Sequence, residues 1–94
     1  MEVSIVTWED AKSSLKHIRQ KVFVEEQQVP EELEWDADDK NCIHLLGREG
    51  NRPVACARIL KDGKLGRLAV LKEYRQHGWG GRILRAAEQH LLDQ

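Results

Sequence analysis

Ala11, Leu15, Ile18 and Val22 recur at steps of four, three and four, which is the period of one face of a helix. Asp10 stands where an N-cap belongs. Ahead of it, Val3 to Trp8 alternates enough β-branched residues to predict a strand. A second helical stripe, Ile83, Leu84, Ala87 and Leu91, runs through Gly80 to Leu92. Between the two stripes the period changes. Cys42 to Arg48 (CIHLLGR), Val54 to Leu60 (VACARIL) and Lys64 to Leu71 (KLGRLAVL) read as strands, separated by the turn signals Glu49-Gly50-Asn51 and Asp62-Gly63. Pro30 and a run of acids break the pattern, so residues 28–40 are expected as a loop, or a short helix followed by a loop.

The expected order is therefore β-α-(short α/loop)-β-β-β-α. The fold class is α/β of the α+β type: a mixed, mainly antiparallel sheet flanked by helices, because the short turns make the middle strands antiparallel. With 94 residues there is room for one small domain. Neither an internal repeat nor a linker interrupts it.

Composition adds little until charge is mapped along the chain. Charged residues are 33% and hydrophobic residues 40% of the total, as in a globular protein. The formal net charge of -1 argues against a nucleic-acid binder. Yet residues 25–39 (EEQQVPEELEWDADD) hold eight acids and no Lys or Arg, whereas residues 64–85 hold six bases against the single acid Glu73. These runs are either solvated surface or two subsites, one for a cation and one for an anion. Cys42 and Cys56 match no metal-ligand spacing and form no disulfide framework. No basic stretch leads into an apolar run at the N-terminus, and no apolar stretch approaches the roughly 20 residues that cross a bilayer. A cytoplasmic location is the expectation, with no membrane and no nucleic-acid partner.

The stretch YRQHGWGGRIL (Tyr74 to Leu84) places glycines and bases at the start of the second helix. A helix N-terminus carries unpaired N–H groups and about half a positive charge, glycine lets an anion approach the backbone, and arginine adds charge-assisted hydrogen bonds. That chemistry suits phosphate or pyrophosphate. A Walker loop is absent, since no Lys-Ser/Thr pair follows the glycines. A Rossmann fingerprint fails too, because Ile83 occupies the third glycine position after Gly78 and Gly80.

What fits is R-x-x-G-x-G, present as Arg75-Gln76-His77-Gly78-Trp79-Gly80 five residues beyond Val70 in a strand reading GRLAVLKEYR. This resembles the pyrophosphate signature of the GNAT superfamily of N-acetyltransferases. The segment IRQKVFVEEQQVP (Ile18 to Pro30), with the acidic run and IHLLGREGNRPVACARIL after it, is similar to the ElaA-like branch of that superfamily.

The resemblance implies acetyl-CoA as cosubstrate and a small-molecule or peptide amine as acceptor. It implies that the backbone of Leu68, Ala69 and Val70 receives the pantetheine arm, with the Val70 N–H facing the thioester carbonyl as an oxyanion donor. It assigns the pyrophosphate to the amides of Gln76, His77, Gly78, Trp79, Gly80 and Gly81, assisted by Arg75 and Arg82. Many members carry a carboxylate base on the strand before the signature, but this strand has none. By residue type the substitutes are Glu25, Glu26, Glu34, Asp36 and His44, against exposed helix-end positions for the first two and simple strand packing for His44. Glu31 to Asp39 either steers a cationic amine or is a solvated loop. Trp35 and Trp79 are the aromatics expected to be exposed near a ligand. A thiol nucleophile at Cys42, two residues from His44, lacks a third orienting group.

In the resembled family, further strands and a helix follow the signature helix and supply the general acid, commonly a tyrosine; Tyr74 is not in that place. The present sequence ends with the signature helix at Gln94. The expectation is thus a partial domain over residues 1–94, a truncated unit or one completed by another chain. Its open sheet edge at Leu65 to Leu71 would be the pairing site of a homodimer. The alternative is a non-catalytic module that binds coenzyme A or a protein partner.

Overall fold

The computed structural model describes residues 2–35 and 37–93. Strand β1 (Glu2–Val6) leads into helix α1 (Trp8–Arg19), a π-helical continuation (Gln20–Glu26), short helix α2 (Glu31–Glu34) and a 3-10 segment (Ala37–Asn41). Strands β2 (Ile43–Glu49), β3 (Arg52–Ile59) and β4 (Leu65–Val70) follow, then a 3-10 turn (Lys72–Tyr74) and helix α3 (Trp79–Leu92). The strands form one sheet in the order β1-β2-β3-β4, with antiparallel pairing throughout. The α+β architecture expected from the sequence is present.

The sheet lies between the two long helices, and strand alternation assigns its two faces. Leu46, Cys56 and Ala69 face Trp8, Ala11, Leu15, Ile18 and Val22 of the first helical stripe. Leu45, Ala55, Ala57 and Ile59 face Trp79, Ile83 and Ala87 of α3. Gly47 permits the second contact. A Cβ there would stand 2.6 Å from Trp79 Cζ3, so the indole packs closely against bare backbone.

Three local expectations change. Trp8 opens α1 instead of closing β1, and its ring is buried. The N-cap is Thr7, whose Oγ1 accepts from the Asp10 N–H at 3.1 Å; Asp10 sits in the first turn, where a carboxylate complements the helix dipole. On α3, Ile83 and Ala87 are buried, but Leu84 and Leu91 are 41% and 42% exposed. They lie on a flank of the helix that no described element covers.

Candidate functional site

Strand β4 is an edge strand, and its irregularity decides which groups it offers. Its pairing with β3 passes from Arg58↔Gly66 to Cys56↔Ala69, so Arg67 and Leu68 together oppose Ala57 in a β-bulge. Arg67 has φ +51°, a left-handed conformation that costs an arginine. The Leu71 N–H donates to Val54 O at 2.8 Å, so alternation turns the N–H and C=O of Val70 to the open edge. The bulge causes this. Without it, the register of Arg58↔Gly66 would carry on to set Val70 against Val54 and aim its N–H into β3.

Beyond β4 the chain turns tightly into α3. Gln76 (φ +67°) and Gly78 (φ +86°) are left-handed, and Gly78 is the N-cap. No side chain caps this helix, so its first amides point outward along the positive end of the dipole. Nothing lies within 4 Å of where a Cβ would stand on Gly78 or Gly80. The cradle is open, and a side chain would begin to fill it. Gln76, His77 and Arg82 are exposed around it. Arg85 adds a base that the sequence reading did not assign to the site: its Nη1 lies 3.2 Å from the Cβ position of Gly81.

Two expected contributors behave differently. Trp79 is 2% exposed and packs into the core, so its indole is not a ligand platform. The Arg75 guanidinium is engaged by Glu26 at 2.5 and 2.7 Å and donates through Nε to Val70 O at 2.9 Å. It braces the turn, linking the end of the π-helix to the end of β4. The Arg75 hydrogen bonds hold the Glu26 carboxyl below the usual carboxylate range.

Two acids of the acidic segment are structural, while Glu31, Glu32 and Asp38 are exposed. Glu34 and Asp39 are both about 1% exposed. Glu34 Oε2 pairs with Arg19 Nε at 2.7 Å and Arg67 Nε at 3.2 Å, while Asp39 Oδ1 accepts from Arg19 at 2.9 Å and Arg58 at 2.8 Å. Arg19 lies between the rings of Trp8 (5.7 Å) and half-buried Trp35 (5.0 Å). His44 is buried beside this cluster, its Nε2 2.8 Å from Asp39 O and its ring 5.3 Å from Trp8. Burial pushes its pKa down, only partly opposed by the Asp39 carbonyl. Asp36 lies outside the described residues. Glu25 and Glu26 remain at the surface, where with His17, Lys21, Val22, Leu71, Lys72 and Glu73 they line a cavity of about 360 Å³ beside the end of β4. Among the described residues, no group of three or more His, Cys, Asp or Glu side chains is placed to hold a metal ion.

An edge strand with an outward amide, followed at once by an uncapped glycine-rich helix, is the arrangement to compare with known proteins. The sequence profile described as "Acetyltransferase (GNAT) family" matches residues 8–94. The chain belongs to the GNAT acetyltransferase family. It is 38% identical over 96 residues to the Bacillus subtilis protein described as uncharacterized N-acetyltransferase YjcF, covering 99% of this chain and 69% of that one. Its fold is similar to Escherichia coli ElaA (TM-score 0.82, 28% identity, 95% of this chain and 68% of that one). It is also similar to an acyl-CoA N-acyltransferase from Pseudomonas aeruginosa (TM-score 0.81, 25% identity, 94% and 68%). The chain thus spans about two thirds of the length of these GNAT relatives. No helix among the described residues is long and apolar enough to cross a membrane.

Proposed function

We infer that this GNAT chain binds acetyl-CoA along the open edge of β4 and at the start of α3, and that it contributes this half of the site to acetyl transfer onto an amine. The observation that carries the reading is the bulge that turns the Val70 N–H outward, a few residues before the open glycine cradle. The Val70 and Leu68 backbone would hold the pantetheine arm as a strand partner holds its neighbour. The amides of Gln76 to Gly81 would take the pyrophosphate, with Arg82 and Arg85 as free bases and Arg75 holding the turn in shape.

Acetyl-CoA supplies an activated thioester. In the transfer a C–N bond forms to the acetyl carbon, the C–S bond breaks, the amine loses a proton and the thiolate gains one. The residues of this chain supply two parts of that chemistry. The Val70 N–H stabilises charge developing on the thioester oxygen, because it is fixed in place before reaction. Two surface carboxylates of the β4-end cavity, Glu25 and Glu73, are not hydrogen-bonded to Arg75; Glu25, beside Lys21 Nζ at 3.5 Å, is the proposed acceptor of the amine proton, directly or through water. Glu34 and His44 are held in buried contacts and are assigned no proton transfer.

A titration with acetyl-CoA, followed by NMR on the amides of Val70 and Gln76 to Gly81, tests the binding. Saturable shifts that vanish in Gly80→Glu are the expected result; a folded chain without shifts overturns it. Amine-dependent release of free thiol then separates transfer from a non-catalytic coenzyme A module, the reading favoured if thiol release is absent despite binding.

A further inference from the structure

We propose that Glu34 is a positioning residue for β4: through Arg67 it holds the bulge, and so the outward direction of the Val70 amide. A left-handed arginine in a strand persists only where its surroundings over-determine it. Among the described residues, these surroundings include two oxygens of one residue, and the Arg67 carbonyl also accepts from Cys56 Sγ at 3.9 Å. Glu34 Oε2 lies 3.2 Å from Arg67 Nε, and the Glu34 carbonyl oxygen accepts from Arg67 Nη2 at 3.4 Å. The same two oxygens receive Arg19, at 2.7 and 2.8 Å. Glu34 is therefore fixed to α1 by one guanidinium and fixes β4 by the other, with its carboxylate screened from water.

The geometry of β4 explains why this hold affects more than the bulge itself. The strand has two available registers against β3, differing by one residue over Leu68 to Val70. In the observed register Ala69 faces Cys56, its methyl is buried against α1, and the Val70 N–H is outward. In the alternative, Ala69 moves opposite Ala55 and the Val70 N–H enters the ladder. Release of Arg67 from Glu34 removes a contact that opposes the strained φ and favours the second register. The acidic segment would then control whether the acyl-transfer edge is presented. Its consequence for catalysis rests on the acetyl-transfer reading above, but the register effect does not.

Amide hydrogen exchange on the full 94-residue chain reads the register directly. In the parent, the Ala69 N–H is protected and the Val70 N–H exchanges freely. In Arg67→Ala, which keeps the Arg19–Glu34–Asp39 cluster, Val70 gains and Ala69 loses protection by about tenfold or more. Glu34→Gln shifts the pair the same way. Arg67→Gly, for which a positive φ carries no penalty, retains the parent pattern and restores it when combined with Glu34→Gln. A general loss of packing would not exchange the protection of two neighbours, nor would glycine rescue it.

If Arg67→Ala folds and leaves both amides as in the parent, the proposal is overturned, whether or not Glu34→Gln folds. If Arg67→Gly behaves as Arg67→Ala, it is overturned as well. A separate titration with acetyl-CoA distinguishes the two readings. Inverted protection in a chain that never binds acetyl-CoA sustains the positioning role and removes the acetyl-transfer reading. Binding that is equal in parent and Arg67→Ala, with unchanged protection, does the reverse.

Discussion

Arg75 and Glu26, separated by 49 positions in sequence, meet in a two-point ion pair at 2.5 and 2.7 Å that closes the turn between β4 and α3 onto the end of the first helix. Arg75 also donates to Val70 O at 2.9 Å. One guanidinium thus fixes three elements.

It follows that Arg75 and Arg82 differ in what they do. Arg75→Ala should broaden or shift the amide signals of Gln76 to Gly78 in the free chain. Arg82→Ala should leave them in place and weaken acetyl-CoA binding by about threefold to tenfold, as expected for an exposed charge facing a phosphate. The pair also has a pH signature. Glu26 titrates below its ordinary value of 4.5 because Arg75 hydrogen-bonds its charged form. Its contribution is present above that ordinary value and is lost as the pH falls through the lower folded value. An NMR titration of the Glu26 side chain checks this; an ordinary midpoint, or one unmoved by Arg75→Ala, rules it out.

Gly78 and Gly80 separate backbone strain from ligand contact. Gly78 is left-handed at φ +86°, so Gly78→Ala should cost about 1–2 kcal/mol of stability. Gly80 lies in the first turn of α3 with open space at its Cβ position. Gly80→Ala should be neutral or stabilise by up to about 1 kcal/mol, since alanine is the better helix former. If phosphates approach the backbone there, the same substitution weakens acetyl-CoA binding. Urea unfolding and calorimetric titration of both variants give the comparison. A Gly80→Ala protein that binds as tightly as the parent would move the pyrophosphate away from this turn.

Much of this site could be read from residue order, because its parts are local. The glycine run, the strand before it and the helix after it are contiguous, and each has its own pattern. The buried charges could not be read so directly, since Arg19, Glu34, Asp39, Arg58 and Arg67 are brought together from five separate elements of the chain. Partial signals existed. Arg19 falls four residues after Leu15, on the edge of the buried stripe, and Arg58 shares strand parity with Cys56, which faces α1. An arginine on a buried face calls for a carboxylate, and the acidic segment is the abundant source of one. The exposed-looking tryptophan among the glycines misled for a related reason. Trp79 is buried because Gly47, 32 positions earlier, leaves it the space a side chain would take. Leu84 and Leu91 were assigned to the core by period alone, and period does not say how wide a face its neighbours cover.

The Gly47–Trp79 contact makes its own prediction. A methyl at position 47 would come within 2.6 Å of the indole, and both groups are in the core, so neither can move into solvent. Gly47→Ala should destabilise the chain by about 1–3 kcal/mol through overpacking. A smaller ring should relieve the clash, so Gly47→Ala with Trp79→Phe should lose less than the sum of the two single changes. Denaturant midpoints of the four proteins form the cycle. Strict additivity would mean that the contact does not limit the core.

His44 should make stability depend on pH near neutrality. Its pKa is lowered from 6.5, first by burial, with the charges of Arg19 and Arg58 acting in the same direction against the Asp39 carbonyl. The unfolded chain therefore binds a proton at His44 over a pH range in which the folded chain does not. Stability is fully present above the unfolded value of 6.5 and falls as the pH drops from there through the lower folded value, below which this residue adds no further loss. Glu26 loses its own contribution only at more acidic pH, so the two effects are separable. Urea midpoints measured between pH 7.5 and 5, at roughly constant ionic strength, should decline in the parent. His44→Gln keeps a hydrogen-bonding side chain without the titration and should flatten the decline over that range, even if its stability at pH 7.5 is lower. An equal decline in both proteins would assign the effect to another group.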